Sequence, residues 1–189
     1  MARRSIVWVK AHPPGTEFAA VNLSRDGLSA TGTAIGSSPS GYRLDYRLET
    51  GPDFVTRRLS LTARGDGWRR RIDLTRLRSG RWLCAGGKDD MKAVAGALDC
   101  DLALSPLTNS MPVLRHGLLE GGGPHEFLMA WVSVPDLTVH PSRQRYTFLG
   151  KSGSLARIRY ESESRDFVAD LTFDKDGICL DYPGIGRAV

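Results

Sequence analysis

Between Tyr42 and Glu49 the chain alternates strictly, with Tyr42, Leu44, Tyr46 and Leu48 separated by Arg43, Asp45 and Arg47 and followed by Glu49. Side chains of an extended backbone point alternately to opposite faces, so this pattern predicts a strand with one face in a core and the other in water. Leu59 and Leu61, then Ile72 and Leu74, keep the same period of two. Further strands are expected at 81–84, 128–134, 146–149, 156–162, 167–174 and 178–182. Turn-forming segments punctuate them: GPD at 51–53, RGDG at 64–67, GGG at 121–123, GKSG at 150–153 and DKDG at 174–177. Helical spacing is rarer. Met91, Val94, Ala95 and Leu98 predict a helix over 90–100, weakened by Gly96, and Pro106 to Leu114 predicts one further turn. The expected fold is mainly β, a single domain over 1–189. Its antiparallel sheet is long enough that it must curl into a barrel or fold into two layers to hide its apolar face.

Composition agrees with a folded domain: 41% of the residues are hydrophobic and 25% charged, and 189 residues suffice to bury a sizeable core. The longest apolar run, Phe127–Val132, falls far short of the ~18 residues that a membrane helix needs. Arg3 and Arg4 begin like a secretory leader, but the apolar stretch ends at Val9, before Lys10 and the Pro13-Pro14 pair. A leader needs about 7–15 apolar residues, so a cytoplasmic location is expected. Cys84, Cys100 and Cys179 are odd in number and far apart, which suits free, mostly buried thiols.

The net charge of +5 is unevenly placed: residues 57–81 hold nine arginines against two aspartates. A patch from Arg57 to Arg81 could attract an anionic surface or nucleic acid, or be simply the solvated outer face of neighbouring strands; no nucleic-acid-binding signature accompanies it. Enzyme signatures are equally scarce. No GxSxG elbow, Walker loop, GxGxxG or HExxH is present, and the four histidines are scattered, so no metal or other cofactor is expected.

Polar chemistry is concentrated elsewhere. Asp99 and Asp101, two apart, would share one strand face about 6.7 Å from each other, with Arg115 available to compensate them if buried. Paired carboxylates at such a distance can serve glycoside chemistry, so a sugar-processing hydrolase or isomerase is one reading. Thr108 and Asn109, between Pro106 and Pro112, suit either local turn bonding or a polar ligand head. Gln144 and Tyr146 share a strand face, fit either for an amphipathic molecule or as a core Tyr beside a rim Gln, and Tyr182 ends a strand before Pro183 beside Asp181.

These segments, taken in order, carry a resemblance. Gly80-x-Trp82, LDCDL at 98–102, SPLTNSMPVLR at 105–115, VPDLTV at 134–139, QRYT at 144–147 and DGICLDYPG at 176–184 resemble the bacterial glycolipid-binding family, formerly a domain of unknown function. Ser105, Ser110 and Leu114 stand where that family's pattern has Thr, Thr and the first of two arginines, leaving Arg115 alone. The resemblance implies a strongly curved antiparallel sheet, an open β-barrel similar to the lipoprotein localisation factors, with one or two short helices plugging its concave side. It implies a non-enzymatic module that binds an amphipathic small molecule. An apolar tail would lie in the hollow. The ligand-binding set would be Asp99, Asp101, Thr108, Asn109, Arg115, Gln144, Tyr146 and Tyr182, meeting a sugar or other polar head at the mouth.

Overall fold

Two runs of seven strands join along one seam. The first run is β1 (Ala2–Ala11), β2 (Pro14–Leu23), β3 (Leu28–Gly36), β4 (Tyr42–Thr50), β5 (Thr56–Gly65), β6 (Trp68–Arg76) and β7 (Trp82–Ala85). The second is β8 (Asp99–Leu102), β9 (His125–Val132), β10 (Val139–Ser152), β11 (Leu155–Ser162), β12 (Phe167–Phe173), β13 (Cys179–Tyr182) and β14 (Gly186–Ala188). This computed structural model describes residues 2–87 and 91–189. Within each run sequential strands pair, and β1 meets β14 through Trp8–Ala188 and Val9–Arg187, so all fourteen form one sheet. The sheet is strongly curved but does not close into a barrel. Its last strand, β8, nevertheless reaches back to the start of β5, where Thr56 N–H donates to Leu98 O (3.0 Å) and Cys100 N–H to Thr56 Oγ1 (3.1 Å).

The alternation at 42–48 is realised as expected: Tyr42, Leu44, Tyr46 and Leu48 of β4 point inward. Strands β2 and β3 carry a weaker pattern because their inward positions are small. Gly32 and Gly36 lie under the rings of Tyr46 and Tyr42, where an added Cβ would fall 2.2 and 2.4 Å from ring atoms. The tyrosines of β4 thus supply the apolar surface that β3 lacks. Across the seam, Trp8 is fully buried and its indole N–H donates to Cys179 O (2.8 Å). A buried aromatic of this kind contributes about 1.5–3 kcal/mol by removal from water.

Two expectations about the elements need correction. The sheet is not antiparallel throughout, since β8 and β9 run parallel. A parallel pair needs a crossover connection, and residues 103–124 supply it. They contain a 3-10 turn (Leu107–Asn109) and a short α-helix, α1 (Ser110–Arg115). The helix expected over 90–100 is also absent as such. Asp90 lies outside the described residues, Met91–Val94 forms a single 3-10 turn, and Gly96 adopts φ 86° before the chain extends into β8. Arg76 Nε and the Trp82 indole both donate to Ala97 O, which fixes that exit.

The crossover is the plug. Leu107 and Met111, one helical turn apart, join the core cluster built on β1–β7, whereas Val113 joins the cluster of Tyr146, Ile158, Tyr160 and Phe173. The concave side is therefore filled by side chains, and an open apolar hollow beneath the plug is not what the sheet encloses. Hollows of about 530, 340 and 220 Å³ open at the surface instead.

Candidate functional site

Seven of the eight residues singled out in the sequence meet where the plug touches β8 and β10. Asp99 and Asp101 do share a face of β8, and both are buried. Arg115, at the end of α1, grips both oxygens of Asp99, with Nη1 to Oδ1 at 2.8 Å. Burial pushes the Asp99 carboxyl above the ordinary carboxylate range, and the Arg115 fork opposes that rise. Asp101 accepts from Thr108 Oγ1 (3.0 Å) and from Gln144 Nε2 (2.6 Å). Gln144 Oε1 lies 3.2 Å from the Tyr146 hydroxyl, which donates to Asn109 Oδ1 (2.8 Å). Asn109 in turn closes its own turn through Pro106 O (3.2 Å). Burial, followed by the nearby Tyr160, holds the Tyr146 phenol well above its usual pKa, so it stays a donor.

This network fastens the plug to the sheet wall. Charged groups out of water need partners, and here each strand carboxylate finds one on the crossover. Asp99 is 1% exposed, with both oxygens engaged, so it offers no approach to a substrate. Tyr182 stands one step removed, stacked edge-on against Tyr160 at 5.6 Å, and burial pushes its phenol upward as well.

Sequence reasoning missed the groups that connect this network to solvent. Asp101, Trp131 and His140 occupy one cross-strand row of β8, β9 and β10 on the concave face. The Trp131 and His140 rings line the 220 Å³ hollow together with Ser142 and Arg165. Arg165 follows β11 in a 3-10 turn (Glu163–Arg165). Its guanidinium lies 5.2 Å over the Trp131 ring and 3.7 Å from Asp101 Oδ2, and it donates to the Tyr160 hydroxyl. The Trp131 indole N–H is buried and has no acceptor among the described residues. Trp131 was legible only as part of a strand, and Arg165 comes to Asp101 from 64 positions away with no spacing signature.

A second buried network on the other flank of the plug was also missed. Glu17 is fully buried and accepts from Lys10 Nζ (2.9 Å), the Tyr46 hydroxyl (2.9 Å) and Ser105 Oγ (2.6 Å). Its one available signal was parity: Glu17 alternates with Ala19 and Val21, and Lys10 with Ile6 and Trp8. Among the described residues, no group of three or more His, Cys, Asp or Glu side chains is placed to hold a metal ion. No described helix is long and apolar enough to cross a membrane.

No curated protein matches the chain. A solved crystal structure does: a DUF1089 family protein from Pseudomonas aeruginosa superposes with a TM-score of 0.74 at 29% identity, over 92% of each chain. A family model described as "Putative glycolipid-binding" matches residues 5–188, so the chain belongs to that glycolipid-binding family.

Proposed function

We propose that this protein binds the polar head of a glycolipid-like amphipathic molecule at the mouth framed by Trp131, His140, Ser142 and Arg165. The observation that carries the reading is the half-buried Trp131 ring. It is flanked by His140 (5.9 Å) and Arg165 (5.2 Å), lies beside Asp101 in the strand register, and keeps an indole donor without an acceptor among the described residues. A sugar ring has one apolar C–H face and a rim of hydroxyls. A flat aromatic surface bordered by donors and a carboxylate matches that pattern.

Size decides which part of the ligand enters. Pockets that enclose a drug-sized molecule occupy about 300–1,000 Å³. At about 220 Å³ this hollow holds a head group, and the tail stays outside because the concave side is filled. Asp99, Thr108, Asn109, Arg115 and Tyr146 then support the site from behind, keeping Asp101 and Gln144 in place, rather than touching ligand.

The test is calorimetric titration with short-chain alkyl glycosides of several head sugars, against the matching alkyl alcohols. At least one glycoside binds and the alcohols do not. Trp131→Ala and Arg165→Gln each weaken that binding about tenfold or more, near 1.4 kcal/mol, with the thermal midpoint retained. Heat from no glycoside, or unchanged affinity in both variants, overturns the reading.

A further inference from the structure

The outer face of β1–β6 carries an arrangement that the head-group site does not use. Strand register places Val9, Thr16, Ile35, Arg43, Arg64 and Arg69 in one cross-strand row on the convex side. The next row runs from Val7 through Phe18, Thr33, Asp45 and Thr62 to Arg71. Both rows are mainly apolar at the β1–β3 end; at the β4–β6 end the first is wholly basic, whereas the second sets Asp45 against Arg71. Val9 is 51% exposed, Phe18 46% and Ile35 54%.

Six arginines face outward on β4–β6, against Asp45, Glu49 and Asp73, which leaves a surplus of three positive charges. Asp45 and Asp73 are occupied by Arg43, Arg64 and Arg58. Among the described residues neither Arg69 nor Arg71 forms a salt bridge; Asp73 is bridged by Arg58 and feels the Arg71 charge only at longer range. We propose that this convex face docks on an anionic lipid bilayer, with Val9, Phe18 and Ile35 entering the interface and Arg69 and Arg71 meeting lipid phosphates.

Charge alone would suit any polyanion. The adjoining apolar strip decides between them: large exposed aliphatic and aromatic side chains gain nothing against a sugar-phosphate backbone but do gain in the acyl boundary of a membrane. Basic residues near an anionic leaflet add attraction that falls off within a Debye length. The two components therefore predict two separable behaviours, one sensitive to salt and one not.

Flotation of the full chain with vesicles tests this. Partitioning onto phosphatidylcholine vesicles containing about 30% phosphatidylglycerol should exceed that onto phosphatidylcholine alone by about tenfold or more, and should weaken with added salt. The double substitution Arg69→Gln/Arg71→Gln should remove most of that difference. Phe18→Ser/Ile35→Ser should lower partitioning on both vesicles while keeping the salt dependence. Trp131→Ala should float like the wild type, which separates this face from the head-group site. Equal partitioning onto both vesicles, or onto neither, overturns the proposal. So does tighter binding to duplex DNA that ignores Phe18→Ser/Ile35→Ser, or a stable dimer in solution abolished by that pair.

Discussion

Replacing Arg115 by methionine would leave the Asp99 carboxyl buried without its fork. Arg115 and Asp99 side chains are 8% and 1% exposed, so solvent cannot take over the lost bonds. Breaking a buried pair from one side costs about 3–5 kcal/mol. For a chain of this size that corresponds to a fall in the thermal midpoint of roughly 6–20 °C, at about 2–4 °C per kcal/mol. The double replacement Asp99→Leu/Arg115→Met removes both charges, together with an Arg115 Nε that finds no acceptor, and should be close to neutral. The single variant should also depend on pH. With the opposing Arg115 gone, burial raises the Asp99 carboxyl further, so in the folded state it prefers to be neutral. A raised acid is fully favourable below its unfolded pKa and loses that benefit as pH rises through the folded value. The deficit of Arg115→Met relative to wild type therefore shrinks as pH falls from neutrality toward about 4. Urea and thermal unfolding followed by far-ultraviolet circular dichroism at several pH values measure the losses, the midpoint and their pH dependence. A loss below about 1 kcal/mol, or a double variant as damaged as the single one, would refute the claim that this pair anchors the plug.

Three further outcomes follow from the packing. Gly32→Ala places a Cβ 2.2 Å from the Tyr46 ring, whose hydroxyl is held by Glu17, and should cost about 1–3 kcal/mol in the same urea assay. Cys100, whose thiol burial pushes up to about 12, and Cys179, also raised by burial, should resist alkylation in native protein and react once it is unfolded; mass mapping of the adducts reads this. Hydrogen bonds from Arg58 to Asp73 and from Arg159 to Asp170 hold those surface carboxyls below their usual range. Their contribution is present above the unfolded Asp pKa and is lost as pH falls through the lower folded values. Thermal midpoints should therefore decline below about pH 4 and keep declining toward pH 2.

Strong alternation of large residues made β4, β5 and β6 legible from the chain alone, because Tyr42, Leu44, Leu59 and Ile72 advertise one wet and one dry face. Strands β2 and β3 were not, since Ala19, Ala30 and Gly32 leave their dry face to be covered by rings from a neighbour. The 90–100 segment misled because its apolar spacing fits a helix equally well. Tertiary bonds to Ala97 and the positive φ of Gly96 override that preference. The polar window 99–115 did mark the plug and its fastening. Its depth was invisible: Asp99 and Asn109 read as groups at a mouth, whereas Arg115 of the plug seals the first inside and Tyr146 of a distant strand the second. The accessible residues, Trp131 and Arg165, are united by the pairing of β9, β10 and β11 and the turn that follows β11, which no local period encodes.

A crystal structure of the protein with a bound short-chain alkyl glycoside addresses the head-group site most directly. The account predicts the sugar ring stacked on Trp131, with hydroxyls within hydrogen-bond reach of Arg165 and Asp101 and the alkyl chain leading outward. A sugar lodged instead in the neighbouring groove between Glu126 and Val168, which Gln144 also lines, would contradict it.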